Sequence, residues 1–137
     1  MVGVSCAAEG GGVIVAIGLD VVDAARIGRA LANFGGRFEE RVFTPAERRE
    51  VEGRLDRTLA LAARFAAKEA CLKALGTGVS MGLAFQQLEV LRAENGAPCL
   101  RLSGRAAEYA RERGVHRIHV TLTHHGDMAA AAVILEG

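Results

Sequence analysis

Tryptophan is missing from this chain of 137 residues, and aromatics are scarce throughout: five Phe and one Tyr. A core must therefore be built from Ala, Val, Leu and Ile, and 50% of the residues are hydrophobic. Cysteine is sparse as well. Cys6, Cys71 and Cys99 are odd in number and form no CxxC pair, which argues against a disulfide framework or a cysteine zinc site. Reduced thiols in a cytoplasm fit best. No apolar run approaches the roughly 20 residues of a membrane span, and the N-terminus has neither a basic start nor a long apolar stretch, so a secretory signal is not expected. Net charge is only +1, far from the balance of a general nucleic-acid binder. These absences leave a soluble cytoplasmic protein of one domain, with no membrane and no nucleic-acid partner.

Residues 1–12 end in a run of glycines and read as a flexible extension; the domain spans 13–137. Residues 13–20, VIVAIGLD, are apolar and β-branched and predict a buried strand ending in a carboxylate. Helical spacing over 22–33 stops at Gly35-Gly36. Thr44-Pro45-Ala46-Glu47 has the form of a capping box with Pro in the first turn, and a polar stretch runs on to Arg57. Residues 59–75 are rich in Ala and Leu, closed by Gly76, and give the strongest helix. Strands are expected at 85–91 and 98–103 around Glu94-Asn95-Gly96, a helix at 104–114, and strands at 117–123 and 128–135. The order β-α-α-α-β-β-α-β-β predicts a compact α+β domain.

The helix at 59–75 carries charge on a surface that is apolar almost all round, so each charge needs a partner or a task. Arg64 and Lys68 lie on one side, Glu69 and Lys73 roughly opposite. Glu69 can form an ordinary i,i+4 pair with Lys73, or hold a metal. Asp20, with Asp23 close behind, can cap the following helix, or meet Glu69 in space. Two carboxylates with water suit a hard cation that also takes phosphate oxygens, magnesium or manganese. His116 and His124 fall on one strand face and His119 and His125 on the other, which argues against a convergent zinc site.

Set in order, the motifs resemble a known family. Ile17-Gly18-Leu19-Asp20-Val21-Val22 with Arg26-Ile27, then Phe43-Thr44-Pro45-Ala46-Glu47, then the helix and loop running from Arg64 through Lys68-Glu69-Ala70 to Gly76-Thr77-Gly78, then Gly96-Ala97-Pro98, and last His119-Val120-Thr121-Leu122-Thr123-His124 are similar to the acyl-carrier-protein synthases, the short trimeric class of phosphopantetheinyl transferases. The likeness spans about residues 14–136.

The resemblance implies a phosphopantetheinyl transferase fold, an antiparallel sheet with a long central helix that assembles as a homotrimer with coenzyme A between subunits. It implies transfer of 4′-phosphopantetheine from coenzyme A to a serine of apo acyl carrier protein, dependent on Mg2+, with release of adenosine 3′,5′-bisphosphate, in fatty-acid or polyketide biosynthesis. Asp20 and Glu69 stand at the metal-binding positions. Lys73 reaches the same phosphates, and Glu69 doubles as general base, directly or through a water. Arg64, Lys73, Gly76, Thr77, Gly78, Thr123 and His124 stand where the family holds coenzyme A. His125 occupies a position where some relatives carry Asp. Six arginines against three glutamates give residues 26–49 a local excess of basic charge; Arg26, Arg29, Arg37 and Arg41 stand where the family docks its acidic carrier. The competing reading is a catalytically silent module on the same fold that binds coenzyme A or the carrier; it predicts loss of Asp20, Glu69 or Lys73, and all three are present.

Overall fold

The computed structural model describes residues 12–137. Of the expected flexible extension, 1–11 lie outside the described residues. The elements in order are β1 (Ile14–Asp23), α1 (Ala24–Phe34), α2 (Gly36–Val42), α3 (Pro45–Val51), α4 (Arg57–Leu75), β2 (Leu88–Arg92), β3 (Pro98–Leu102), α5 (Gly104–Glu112), β4 (Arg117–His125) and β5 (Met128–Glu136). The class is α+β, as expected. The strands divide into two antiparallel sheets: a three-stranded one with β5 between β1 and β4, and the β2–β3 hairpin. No helix among the described residues is long and apolar enough to cross a membrane.

Helix α2 is an element that the sequence reading lacks. Gly35 does end α1, with φ +55°, but the chain re-enters a helix at once. Seven residues are too few to display an apolar period. Strand β1 runs three residues past its expected end, and Asp23 rather than Asp20 caps α1, accepting from the Ala25 N–H at 2.9 Å. The capping box forms as the spacing predicts: Thr44 Oγ1 accepts from the Glu47 N–H, and the Thr44 N–H donates to Glu47 Oε1.

Helix α4 covers the inner face of the three-stranded sheet. Ala129, Ala131, Val133 and Leu135 of β5 are buried beneath it, beside Ala66, Ala67 and Ala70 of the helix itself. Small side chains on both surfaces let helix and sheet approach closely. The outer face has no cover. On β1, expected as a buried strand, Ile17, Leu19 and Val21 are 70%, 64% and 56% exposed. They begin the cross-strand rows Ile17–Ile134–His119, Leu19–Ala132–Thr121 and Val21–Ala130–Thr123. An apolar run does not reveal which strand face a helix will cover.

A buried ion pair ties α4 to α3. Lys68 Nζ stands 2.6 Å from Glu47 Oε1, both side chains fully buried, and also donates to the carbonyls of Val42 and Phe85. The other Glu47 oxygen accepts from the Val90 N–H on β2 at 2.9 Å. Each charge is thereby paired and hydrogen-bonded, the condition for tolerating it in a core. Cys71 is a free thiol that burial pushes up to about 12. Cys99 is disulfide-bonded, which corrects the expectation of reduced thiols throughout: spacing along the chain is silent on pairs that folding brings together.

Candidate active site

Asp20 and Glu69 meet because β1 lies directly on α4. Gly18, two residues before Asp20 on the same strand face, sits against the carbonyl of Ala70, where a Cβ would overlap the oxygen. Only glycine permits that approach. It brings Asp20 level with the turn of α4 that bears Glu69 and Lys73. Lys73 Nζ contacts Asp20 Oδ1 at 2.7 Å and the Leu19 carbonyl at 3.2 Å. The i,i+4 pair between Glu69 and Lys73 is therefore replaced by a pair across elements.

Glu69 is half-buried and records the company it keeps. Burial first, and then the charge of Asp20, push its carboxyl above the ordinary value, against the opposing pull of Arg26 and Lys73. Arg26, on α1, stacks its guanidinium 5.6 Å from the centre of the Phe65 ring, one turn before Glu69. Two carboxylates and two cations thus share one edge of the sheet. Among the described residues no group of three carboxylate, histidine or thiol side chains gathers in a way that could hold a metal.

A second group lies elsewhere. Arg64, Thr123 and His124 line a pocket of about 100 Å³ together with Arg54, Asp56 and Arg92. Arg64 and Glu69 are five residues apart on α4, which puts them about 140° apart around the helix axis. His124 is on β4 and Asp20 on β1, the opposite edges of the three-stranded sheet. The two groups therefore lie on either flank of α4. Sequence reasoning missed Arg54 and Arg92 in the pocket, and Glu50 behind it, which bonds Arg64 and the Arg92 N–H. Arg54 is clamped two residues away by Asp56, with contacts of 2.8 Å to both oxygens, and that short spacing was the one local signal.

Gly76 closes α4 in the left-handed conformation, its N–H reaching the carbonyls of Leu72 and Lys73 at 3.0 Å. The Thr77 hydroxyl donates to the Gly78 carbonyl at 2.9 Å. Arg29, Arg37 and Arg41 are exposed on α1 and α2. Arg37 and Arg41 flank Phe34 and Phe38 in one surface hollow, so basic charge there borders apolar surface.

Residues 16–133 match the model of the 4′-phosphopantetheinyl transferase superfamily. The chain belongs to that superfamily. It is an enzyme of the holo-[acyl-carrier-protein] synthase class: a synthase of that name from Anaeromyxobacter dehalogenans strain 2CP-C is 54% identical over 127 residues, covering 90% of this chain and 97% of the relative. One from Maridesulfovibrio salexigens is 44% identical over 123 residues, covering 90% and 98%. Among solved structures, the Neisseria meningitidis holo-[acyl-carrier-protein] synthase superposes with a TM-score of 0.82 at 33% identity, over 91% of this chain and all (100%) of that one. The Helicobacter pylori enzyme, solved in complex with coenzyme A, gives 0.77 at 29% identity, over 87% and 98%.

Proposed function

We propose that this transferase moves 4′-phosphopantetheine from coenzyme A to the serine of an apo acyl carrier protein in the cytoplasm, serving fatty-acid or polyketide synthesis and releasing adenosine 3′,5′-bisphosphate. The observation that carries this reading is the meeting of Asp20, Glu69 and Lys73 where β1 lies on α4, in a chain that matches holo-[acyl-carrier-protein] synthases over nine-tenths of its length.

Phosphoryl transfer asks chiefly for positioning and charge neutralisation. Asp20 and Glu69 fit a magnesium site. They are two oxygen donors near enough that Asp20 adds to burial in raising Glu69, and a cation held by two carboxylates would keep room for waters and substrate phosphates. A magnesium ion held by Asp20 and Glu69 would polarise the phosphate and stabilise the leaving group. Lys73, exposed and joined to Asp20, supplies a second positive charge on the same edge. Glu69, raised above an ordinary carboxylate, suits the proton transfer that frees the attacking serine oxygen. The loop of Gly76, Thr77 and Gly78 brings backbone close to the nucleotide.

The basic pocket of Arg54, Arg64, Arg92 and His124 suits the phosphates at the nucleotide end of coenzyme A. That pocket and the carboxylates occupy opposite flanks of α4, and the apolar outer face of the sheet is uncovered. Both features support a homotrimer in which one subunit's carboxylates face another's pocket. Arg26, Arg29, Arg37 and Arg41 dock the acidic carrier, with Phe34 offering apolar contact between the charges.

The test is release of adenosine 3′,5′-bisphosphate from coenzyme A in the presence of apo carrier. Release should need the carrier and Mg2+, and should stop in Asp20→Ala and Glu69→Ala. Release that persists in both variants would remove the carboxylates from the chemistry.

A further inference from the structure

Two elements that wall the basic pocket, α4 and β2, meet at one carboxylate of α3. Glu50 extends from α3. Its Oε1 accepts from Arg64 Nη2 of α4 at 2.5 Å. Both of its oxygens stand 3.2 Å from the backbone N–H of Arg92, at the end of β2. The Arg92 guanidinium is anchored in turn on the Gly96 carbonyl at 2.7 Å.

Glu47, one turn earlier on α3, builds the same kind of bridge to Lys68 and to the Val90 N–H. The difference between the two bridges is informative. Lys68 is fully buried, and Nζ has three oxygen acceptors. Arg64 is 2% exposed, gives Nη1 to the Ala60 carbonyl and Nη2 to Glu50, yet its Nε is buried without a partner. The first bridge is closed. The second opens on a pocket, and Glu50 itself keeps 27% of its side chain exposed. Buried donors normally find acceptors, so the bridge leaves the Arg64 guanidinium one bond short of full pairing, beside a pocket that Arg64 helps to line.

We propose that Glu50 is a positioning residue for coenzyme A binding: it fixes the Arg64 guanidinium and the Arg92 end of β2, so that the pocket meets a nucleotide phosphate with its donors already ordered. An unrestrained arginine gives up much rotamer freedom on binding, and ordering it beforehand lowers that cost. Glu50 weakens the pocket's positive field by one charge; the gain is geometry. The inference rests on the reading of this pocket as the nucleotide site.

The experiment is calorimetric titration of the full-length protein with coenzyme A, alongside steady-state kinetics. Glu50→Ala should raise Kd and KM for coenzyme A about tenfold while kcat stays within about twofold. Glu50→Gln, which keeps one acceptor oxygen, should recover to within about threefold of the unsubstituted protein. If Glu50→Ala gives no folded protein, the small rise in Glu50→Gln carries the test. His124→Ala, on an exposed pocket residue, tests the underlying reading. If His124→Ala weakens binding and the Glu50 variants do not, the positioning role is wrong and the pocket assignment stands. If His124→Ala and Arg54→Ala both leave affinity unchanged, the pocket assignment itself is wrong. Tighter binding in Glu50→Gln would make Glu50 a mere opposing charge and overturn the proposal.

Discussion

Gly18 lies so near Ala70 that a Cβ on it would stand 2.8 Å from the Ala70 carbonyl carbon and overlap the oxygen. This contact sets the distance between β1 and α4, and with it the meeting of Asp20 with Glu69 and Lys73. Gly18→Ala must push strand and helix apart at a backbone contact that cannot yield cheaply. Overpacking of this kind costs about 3 kcal/mol or more. Thermal denaturation should show the loss, and turnover should fall further than the loss of folded protein explains.

Removing the Lys73 ammonium should leave the fold intact, because the side chain is more than half exposed. Lys73→Ala should lower kcat by about 10²-fold, with melting temperature little changed. Circular dichroism melts beside steady-state rates separate the two effects.

The Lys68–Glu47 pair should behave in the opposite way. Lys68→Met leaves Glu47 buried without its cation, and breaking such a pair costs about 3–5 kcal/mol. The double variant Lys68→Met/Glu47→Gln should recover part of that loss. A urea denaturation cycle over the four proteins measures the coupling.

Glu69 gives a pH signature. Its carboxyl is raised in the folded protein, through burial and then Asp20, so the folded state keeps this proton to higher pH than the unfolded chain. Between the ordinary carboxylate value and the raised one, unfolding releases a proton, and this group's contribution to stability falls as pH rises. The metal-free protein should therefore lose stability relative to Glu69→Gln as pH rises through that window. Urea midpoints of both proteins in chelator, from acid to neutral pH, would show it.

The proposed homotrimer, with carboxylates and basic pocket on opposite flanks of α4, has a complementation test. If subunits share a site, Asp20→Ala and His124→Ala, each inactive alone, should regain part of the activity when mixed and allowed to exchange. Leu19→Asp, which puts a charge in the middle of the exposed apolar face, should dissociate the assembly on size-exclusion chromatography with light scattering, and abolish complementation.

Local chemistry was legible along the chain. The Thr44–Glu47 box, the glycine end of α4 and the two hairpins follow from short-range spacing, and the α+β class follows from the order of the elements. The proximity of Asp20 and Glu69 came from family likeness, because 49 positions of sequence carry no spacing signal. Helix α2 was hidden by its brevity and by a glycine pair that reads as a stop. The Glu47 and Glu50 bridges were hidden because each joins α3 to partners 14 to 43 residues away. Of the two readings of Glu69, the i,i+4 pair with Lys73 is the one that spacing alone offers, and it does not form: β1, brought close by Gly18, gives Lys73 Asp20 as its partner.

The most direct test of the account is the intact mass of apo acyl carrier protein after incubation with this protein, coenzyme A and Mg2+, with chelator and Glu69→Ala as parallel reactions. The account predicts a gain of one 4′-phosphopantetheinyl group per carrier, lost in both controls. An unchanged carrier mass in the complete reaction, with coenzyme A bound tightly, would contradict it.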